Sequence, residues 1–209
     1  MVHQPTLSYW TVPPKHKGET IAVIGGGPSL RHFDVEKLRP YTTVVVNNSY
    51  KIAPWAKYGL FIDKKWWVWN GQHFMDTFAG QKITTNRDLR AVNHPSLKRL
   101  IRVSAENFSD DPQRLVGRDS GCCGIHLAYH LGASRILLAG FDLSVDENGE
   151  THWHNEHKTP SNISNYELRF GPKQQRLTDE LRQRGVEVLR VTQPGLQSLP
   201  FVSIDDLDT

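Results

Sequence analysis

Short runs of apolar, mostly β-branched residues recur along the chain, separated by longer stretches whose apolar positions fall three and four apart. Residues 20–25, 42–48, 60–62, 81–85, 99–104, 135–141 and 186–191 read as strands. Residues 30–38, 66–78, 122–131 and 166–184 read as helices, the last two stopped by Gly132 and Gly185. The strand runs are nearly continuous in apolar residues, as in Val44-Val45-Val46 and Ile136-Leu137-Leu138-Ala139, instead of alternating with polar ones. A strand reads that way when both of its faces are covered.

Strands alternating with helices, with the strands buried on both sides, predict an α/β fold. The expected architecture is a Rossmann-like, doubly wound, mostly parallel sheet with helices on both faces. At 209 residues the chain suits one domain, expected over residues 20–207 behind an extension at 1–19, with both ends loosely attached. Composition changes this picture little. A formal charge of +3 does not call for nucleic acid, and ten histidines and six tryptophans are the more unusual counts. No apolar run is long enough to span a membrane, and the first ten residues lack the apolar core of a signal peptide. The two cysteines, Cys122 and Cys123, are adjacent and do not suit a bridge to each other, so a reduced, cytoplasmic setting is expected.

Ligands of such sheets bind beyond the carboxyl ends of the strands, so the residues there become the candidate site. The first strand empties into Gly25-Gly26-Gly27-Pro28-Ser29-Leu30. Glycines permit close approach of a ligand to the backbone, Pro28 suits a first helical turn, and Ser29 can cap it. Free amides at a helix start attract anions, so this turn is a candidate phosphate site. It is not a dinucleotide fingerprint or a Walker loop, because neither the third glycine nor a Gly-Lys-Ser/Thr follows. The other strand ends supply Asn47-Asn48-Ser49, Asp63-Lys64-Lys65, Asp119-Ser120-Gly121 and Asp142. Ser120 is expected to cap the helix that follows it and to add a second anion-attracting terminus. Amides and lysines suit phosphate, and Asn and Asp suit the base and sugar of a nucleotide.

The segment Thr151-His152-Trp153-His154-Asn155-Glu156-His157-Lys158 concentrates titratable groups. A histidine here suits general acid–base work near neutral pH. A zinc site from His152, His154 and His157 with Asp142 or Glu156 is the alternative, although the spacing matches no structural zinc module. Trp66, Trp67 and Trp69 read as core or subunit interface, with base stacking the lesser option. Cys122 and Cys123 read as small core residues rather than nucleophiles. Arg31, Arg39 and Arg118 are within sequence reach of a phosphate.

Several of these stretches, in order, resemble known families. Gly25-Gly26-Gly27-Pro28-Ser29-Leu30 resembles the Gly-Asn-Gly-Pro-Ser-Leu opening of bacterial family-42 sialyltransferases. It is equally similar to the related family that holds archaeal hydroxymethylpterin diphosphokinases and phage proteins. Val44 to Tyr50 resembles the sialyltransferase strand that ends in a nucleotide-binding Asn, matched by Asn48, and Asp63 stands where another nucleotide-contacting Asn falls. Asp119-Ser120-Gly121 is similar to their Thr-Ser-Gly, and the run from His130 to Asp142 to their Ala-Leu-Gly, strand, Ser-Gly-Ile-Asp. The stretch from His152 to His157 resembles the loop with their catalytic base, His157 being the better match and His154 the second. Ala128-Tyr129-His130-Leu131-Gly132-Ala133 and His152-Trp153-His154 look most like the phage branch.

The resemblance spans residues 20–207. It implies a nucleotide-binding transferase, and first an inverting glycosyltransferase with a CMP-sugar-like donor, a histidine base and no metal. Its nucleotide would touch Gly25, Gly26, Gly27, Pro28, Ser29, Asn48, Asp63, Ser120, Gly121 and Asp142. The alternatives it implies are a Mg²⁺-dependent pyrophosphokinase acting on a pterin-like hydroxymethyl group, with Asp63, Asp119 and Asp142 as metal ligands, or a non-catalytic nucleotide binder. The implied partners are a nucleotide or nucleotide-sugar and an acceptor, with a homo-oligomer possible and no nucleic acid or membrane.

Overall fold

The computed structural model describes residues 8–87, 94–103, 108–156 and 163–207. Seven strands form one parallel sheet: β1 (Thr20–Ile24), β2 (Thr42–Val46), β3 (Tyr58–Phe61), β4 (Gln81–Thr84), β5 (Leu97–Arg99), β8 (Arg135–Ala139) and β9 (Glu187–Arg190). Their order is β5-β4-β3-β2-β1-β8-β9. The chain builds outward from β1 in one direction, then returns to lay β8 against the other edge of β1. That reversal opens a crevice between the carboxyl ends of β1 and β8.

Side chains of a strand alternate between faces, and the central strands divide their apolar residues accordingly. Ile21, Val23, Val44, Val46, Ile136 and Leu138 pack on one face with Ile125, Leu127, Leu177 and Leu181. Those four come from helices α2 (Ser120–His130) and α3 (Gly171–Gln183). Ala22, Ile24, Val45, Leu137 and Ala139 face the other way, against Leu30, Leu38, Tyr50 and the Trp66 and Phe74 of α1 (Lys64–Thr77). Gly124 lets α2 lie close to the sheet, since a Cβ there would stand 2.8 Å from Val46 Cγ2.

Four expectations change. Residues 30–38 do not form a helix but two 3₁₀ turns, Pro28–Arg31 and Val35–Leu38. Asp34 interrupts them, its side chain accepting from the Glu36 amide at 3.1 Å and starting a new turn. The strand expected at 99–104 breaks at Leu100. The Leu100 amide bonds Thr84 O at 2.9 Å and the next amide, Ile101, bonds Gln113 O at 2.8 Å. Consecutive residues thus serve two sheets, β5 in the main one and β6 (Ile101–Val103) beside β7 (Arg114–Val116) in a small second one. Ser104 lies outside the described residues.

The helix expected at 166–184 opens with a π-turn, Tyr166–Phe170, before α3. Pro172 has no amide to bond the carbonyl four residues back, and the Gly171 amide bonds Tyr166 O five residues back instead. The N-terminal segment, finally, is docked from Tyr9 onward, whose hydroxyl accepts from Arg99 at 3.2 Å. The Trp10 amide bonds Arg99 O, the His16 amide bonds Leu131 O, and Val12 is buried in the core.

Candidate functional site

A cleft of about 590 Å³ lies over the carboxyl ends of β1, β2 and β8 and the start of α2. The structure gathers there Gly25, Gly26, Gly27, Asn48, Asp63, Ser120, Gly121, Asp142 and His154, which the sequence scatters over 130 positions. Pro28 and Ser29 are not part of its lining, and His157 lies outside the described residues.

The glycine turn is an anion site already filled by the protein. Asp142, 4% exposed, accepts from the Ser29 amide and from Ser29 Oγ, both at 2.6 Å. Burial pushes the Asp142 carboxyl above its usual range, while the two Ser29 bonds pull it back. The Gly25 amide is spent on Ala139 O and the Gly27 amide on Gly140 O, each at 2.8 Å. Three of the amides expected to meet a phosphate therefore join β1 to β8 instead. The glycines are needed for packing: a Cβ on Gly25 would lie 2.5 Å from Gly140 O, and one on Gly27 2.5 Å from the Asp142 carboxyl. Gly26 is the open one, with only His152 Cδ2 at 3.3 Å.

The histidine-bearing loop is strapped across this turn. The Trp153 amide donates to Gly26 O at 3.1 Å. Arg31 donates to His152 O at 2.8 Å and to Trp153 O at 3.1 Å, and pairs with Asp146. At the other end Glu156 accepts from Asn48 Nδ2 at 3.2 Å and pairs with Lys51, whose ammonium holds the Glu156 carboxyl below its usual range. Asn48 Oδ1 accepts from Trp66 Nε1 at 2.7 Å, so both ends of that amide are engaged within the protein. Arg31 is thus a strut for the loop rather than a phosphate ligand. Replacing it by alanine is expected to speed chymotrypsin cleavage at Trp153 about tenfold, since bonds from a charged donor contribute about 1.5–3 kcal/mol each. An unchanged cleavage rate would show that the strap holds without it.

Within the loop, Thr151 Oγ1 and His152 Nδ1 are 2.8 Å apart, and the His152 and His154 rings are 5.6 Å apart. His154 Nδ1 accepts from the Glu156 amide at 3.2 Å, which puts the proton of the neutral ring on Nε2. His154 can act as a base only after its ring gives up that bond.

The second anion-attracting terminus is α2. Its cap is Asp119, not Ser120: Asp119 Oδ1 accepts from the Cys122 amide at 2.9 Å. The carboxylate has two oxygens to offer and the extended backbone a cap residue needs, which moves Ser120 into the first turn. Arg118, Lys64 and Lys65 bring positive charge to the same cleft. Cys122 and Cys123 are free thiols of the core, and burial, reinforced by the Asp119 carboxylate, pushes both thiols up. The tryptophans divide. Trp66 and Trp67 stack on Phe61 at 4.8 and 5.2 Å, and the cleft is lined by Trp66, which is buried, and by Trp69, which is 37% exposed. Arg39 pairs with Glu36 away from the cleft.

Among the described residues, no three His, Cys, Asp or Glu side chains converge to hold a metal ion. Asp142 is taken by Ser29 and Glu156 by Lys51 and Asn48, which removes both from the expected zinc set. The lining also includes Tyr166, Phe170 and Gln174, which sequence reasoning missed. Gly171-Pro172 inside a helical pattern was the available signal, because the π-turn it forces carries both aromatics. Nothing in the sequence singles out Gln174.

No protein-family model matches the sequence, and no curated protein matches it. Among solved structures, the fold is similar to the MAf glycosyltransferase of Magnetospirillum magneticum AMB-1, with a TM-score of 0.67 at 12% identity. The match covers 96% of this chain and 36% of that one, so the chain spans about a third of that protein's length. It is similar also to the sialyltransferase CstII of Campylobacter jejuni, solved with cytidine-5′-monophosphate. There the TM-score is 0.57 at 11% identity, covering 92% of this chain and 88% of that one. A structure of CST-II with a trisaccharide acceptor and CMP gives 0.56 at 12% identity, over 91% of this chain and 89% of that one. These likenesses establish a shared fold. Among the described residues, no helix is long and apolar enough to cross a membrane.

Proposed function

We propose that the chain is a glycosyltransferase of the sialyltransferase-like kind, using a nucleotide-sugar donor of CMP-sugar type and a histidine base, without a metal. The observation that carries this reading is the histidine loop strapped over a cleft at the strand-order reversal of β1 and β8. Supporting it, structures of the same fold hold CMP and an acceptor oligosaccharide.

In this reading the donor phosphate faces the start of α2, where the Ser120 and Gly121 amides and Arg118 lie. An acceptor hydroxyl oxygen attacks the anomeric carbon from the side opposite the phosphate. The C–O bond to phosphate breaks with its electron pair going to the phosphate oxygen, and the hydroxyl proton passes to a ring nitrogen of His157 or, second, of His154. Fixed dipoles and cations stabilise the charge that develops on the leaving phosphate. Attack opposite the leaving group inverts the anomeric centre.

Saturating CMP is expected to raise the melting temperature by about 5–10 °C, since ligand at a hundred times its Kd adds about 2.7 kcal/mol. His157→Ala should lose at least about 100-fold in turnover of a CMP-sugar and keep the CMP-induced shift. Equal loss of both would remove the base assignment. Turnover of ATP that requires Mg²⁺ would move the assignment to diphosphate transfer instead.

A further inference from the structure

The cleft wall built by α2 and α3 carries two hydrogen-bond acceptors that no described residue satisfies. Gln174, on α3 and 4% exposed, lines the cleft. Its Nε2 donates to Asp119 Oδ1 at 3.2 Å. That bond fixes the orientation of the amide, because a carboxylate oxygen can only accept. Among the described residues, Gln174 Oε1 and Asp119 Oδ2 are left buried with no partner. A buried acceptor without a donor costs about 1–3 kcal/mol, and here two lie on side chains that touch each other.

The backbone between them is kept bare. A Cβ on Gly121 would lie 3.0 Å from Asp119 Oδ1, 3.1 Å from Gln174 Nε2 and 3.0 Å from Phe141 Cε1. Gly121 therefore places no side chain over the pair. Both side chains line the cleft, and the terminal torsion of Gln174, which is soft, lets its buried oxygen turn toward it. What such a pair lacks is two neighbouring donors. Adjacent sugar hydroxyls supply them, one O–H to each oxygen, whereas a phosphate brings only acceptors and more negative charge beside Asp119.

We propose that Asp119 and Gln174 form a diol-recognition pair that seats the two adjacent ribose hydroxyls of the nucleotide and makes the cleft select ribonucleotides over 2′-deoxyribonucleotides. The proposal rests on the nucleotide reading above and names the part of the nucleotide this wall reads. Gln174 and Asp119 act on specificity and have no part in proton transfer.

The test is calorimetric titration of the full chain with CMP, UMP, AMP and GMP and with their 2′-deoxy counterparts. For whichever bases bind, the 2′-deoxy form is expected to bind about tenfold more weakly, because it leaves one buried acceptor unpaired. Gln174→Met should weaken the ribonucleotide and leave the deoxyribonucleotide nearly unchanged, so that the two converge. Asp119→Asn, which removes the acceptor for the hydroxyl that the 2′-deoxy form keeps, should weaken both forms alike while keeping the cap of α2, since Asn caps as well as Asp. Equal affinity of both forms for the unmodified protein overturns the proposal with the nucleotide reading intact, and needs no variant to fold. Binding of none of the eight overturns that reading and the proposal with it. A Gln174-dependent affinity for methyl galactoside without ribose discrimination would assign the pair to a transferred or acceptor sugar and overturn the ribose assignment.

Discussion

Alanine at Gly27 is expected to cost about 3 kcal/mol and to lower the melting temperature by about 6–12 °C. The new Cβ would stand 2.5 Å from both Cγ and Oδ2 of Asp142 and 2.9 Å from its other oxygen. Real Cβ contacts are not that short, so the carboxyl has to leave. Asp142 has a short side chain in a buried position, and its displacement strands the Ser29 amide and hydroxyl as well as the carboxylate. Overpacking and unpaired buried polar groups each contribute about 1–3 kcal/mol. Gly26→Ala is the control. Its Cβ meets only the edge of the His152 ring at 3.3 Å, which a small ring movement relieves. A change under about 1 kcal/mol is expected there. Thermal unfolding of the two variants side by side checks the pair. Equal stability would mean that the Ser29–Asp142 contact does not hold β1 to β8.

The second large effect is a loss of stability in mild acid. His126 is fully buried on α2, its Nδ1 accepting from the Val116 amide at 3.0 Å, with its ring 4.4 Å from that of His130. Adding a proton to His126 Nδ1 would set two N–H groups against each other. Burial, reinforced by the charge of His130, pushes the imidazole of His126 well below its usual range. Burial likewise lowers His130, whose Nε2 donates to Arg114 O at 2.9 Å, while Asp110 and Asp111 nearby partly restore it. Arg184 adds to the lowering of His126.

The sign follows from linkage. Above pH 6.5 both states hold these histidines neutral and nothing is lost. As pH falls below 6.5, the unfolded chain takes up protons that the folded chain refuses, so stability falls until the folded values are reached. Each histidine contributes up to about 1.4 kcal/mol per pH unit in that window. Carboxylates held low by their partners, such as Glu156, add their loss only below about pH 4.5. Denaturant unfolding at pH 7.5, 6.5 and 5.5 should therefore show a drop of about 2 kcal/mol between the last two. His126→Asn keeps an acceptor for the Val116 amide and should remove about half of that drop. A slope unchanged by the substitution would place the effect elsewhere.

The sheet itself was legible in the sequence because burial on both faces leaves only one kind of strand. The runs at 20–25, 42–48 and 135–141 each hold an unbroken apolar stretch, at 21–24, 44–46 and 136–139, and all three became central strands. Trp66–Phe74 and Ile125–Leu131 carried helical spacing strongly enough to place α1 and α2. The site's location followed too, since ligands of such sheets sit beyond the strand ends. What each residue does there was not legible. Ser29 and Asp142 are 113 positions apart, and only the pairing of β1 with β8 turns a phosphate-like cradle into a closed internal contact.

The sequence by itself determined the alternation of strands and helices, the parallel sheet and the end of it at which the polar residues collect. These depend on local periodicity and on the covering of two faces, both of which are written along the chain. The tertiary structure alone decided that residues 30–38 form turns, that the chain changes sheets at Leu100, and that Asp119 caps α2. It alone brought Gln174 beside Asp119 and tied the histidine loop to Gly26 and Arg31. Each of those depends on which distant groups compete for one hydrogen bond, and that competition is settled only when the strands are side by side.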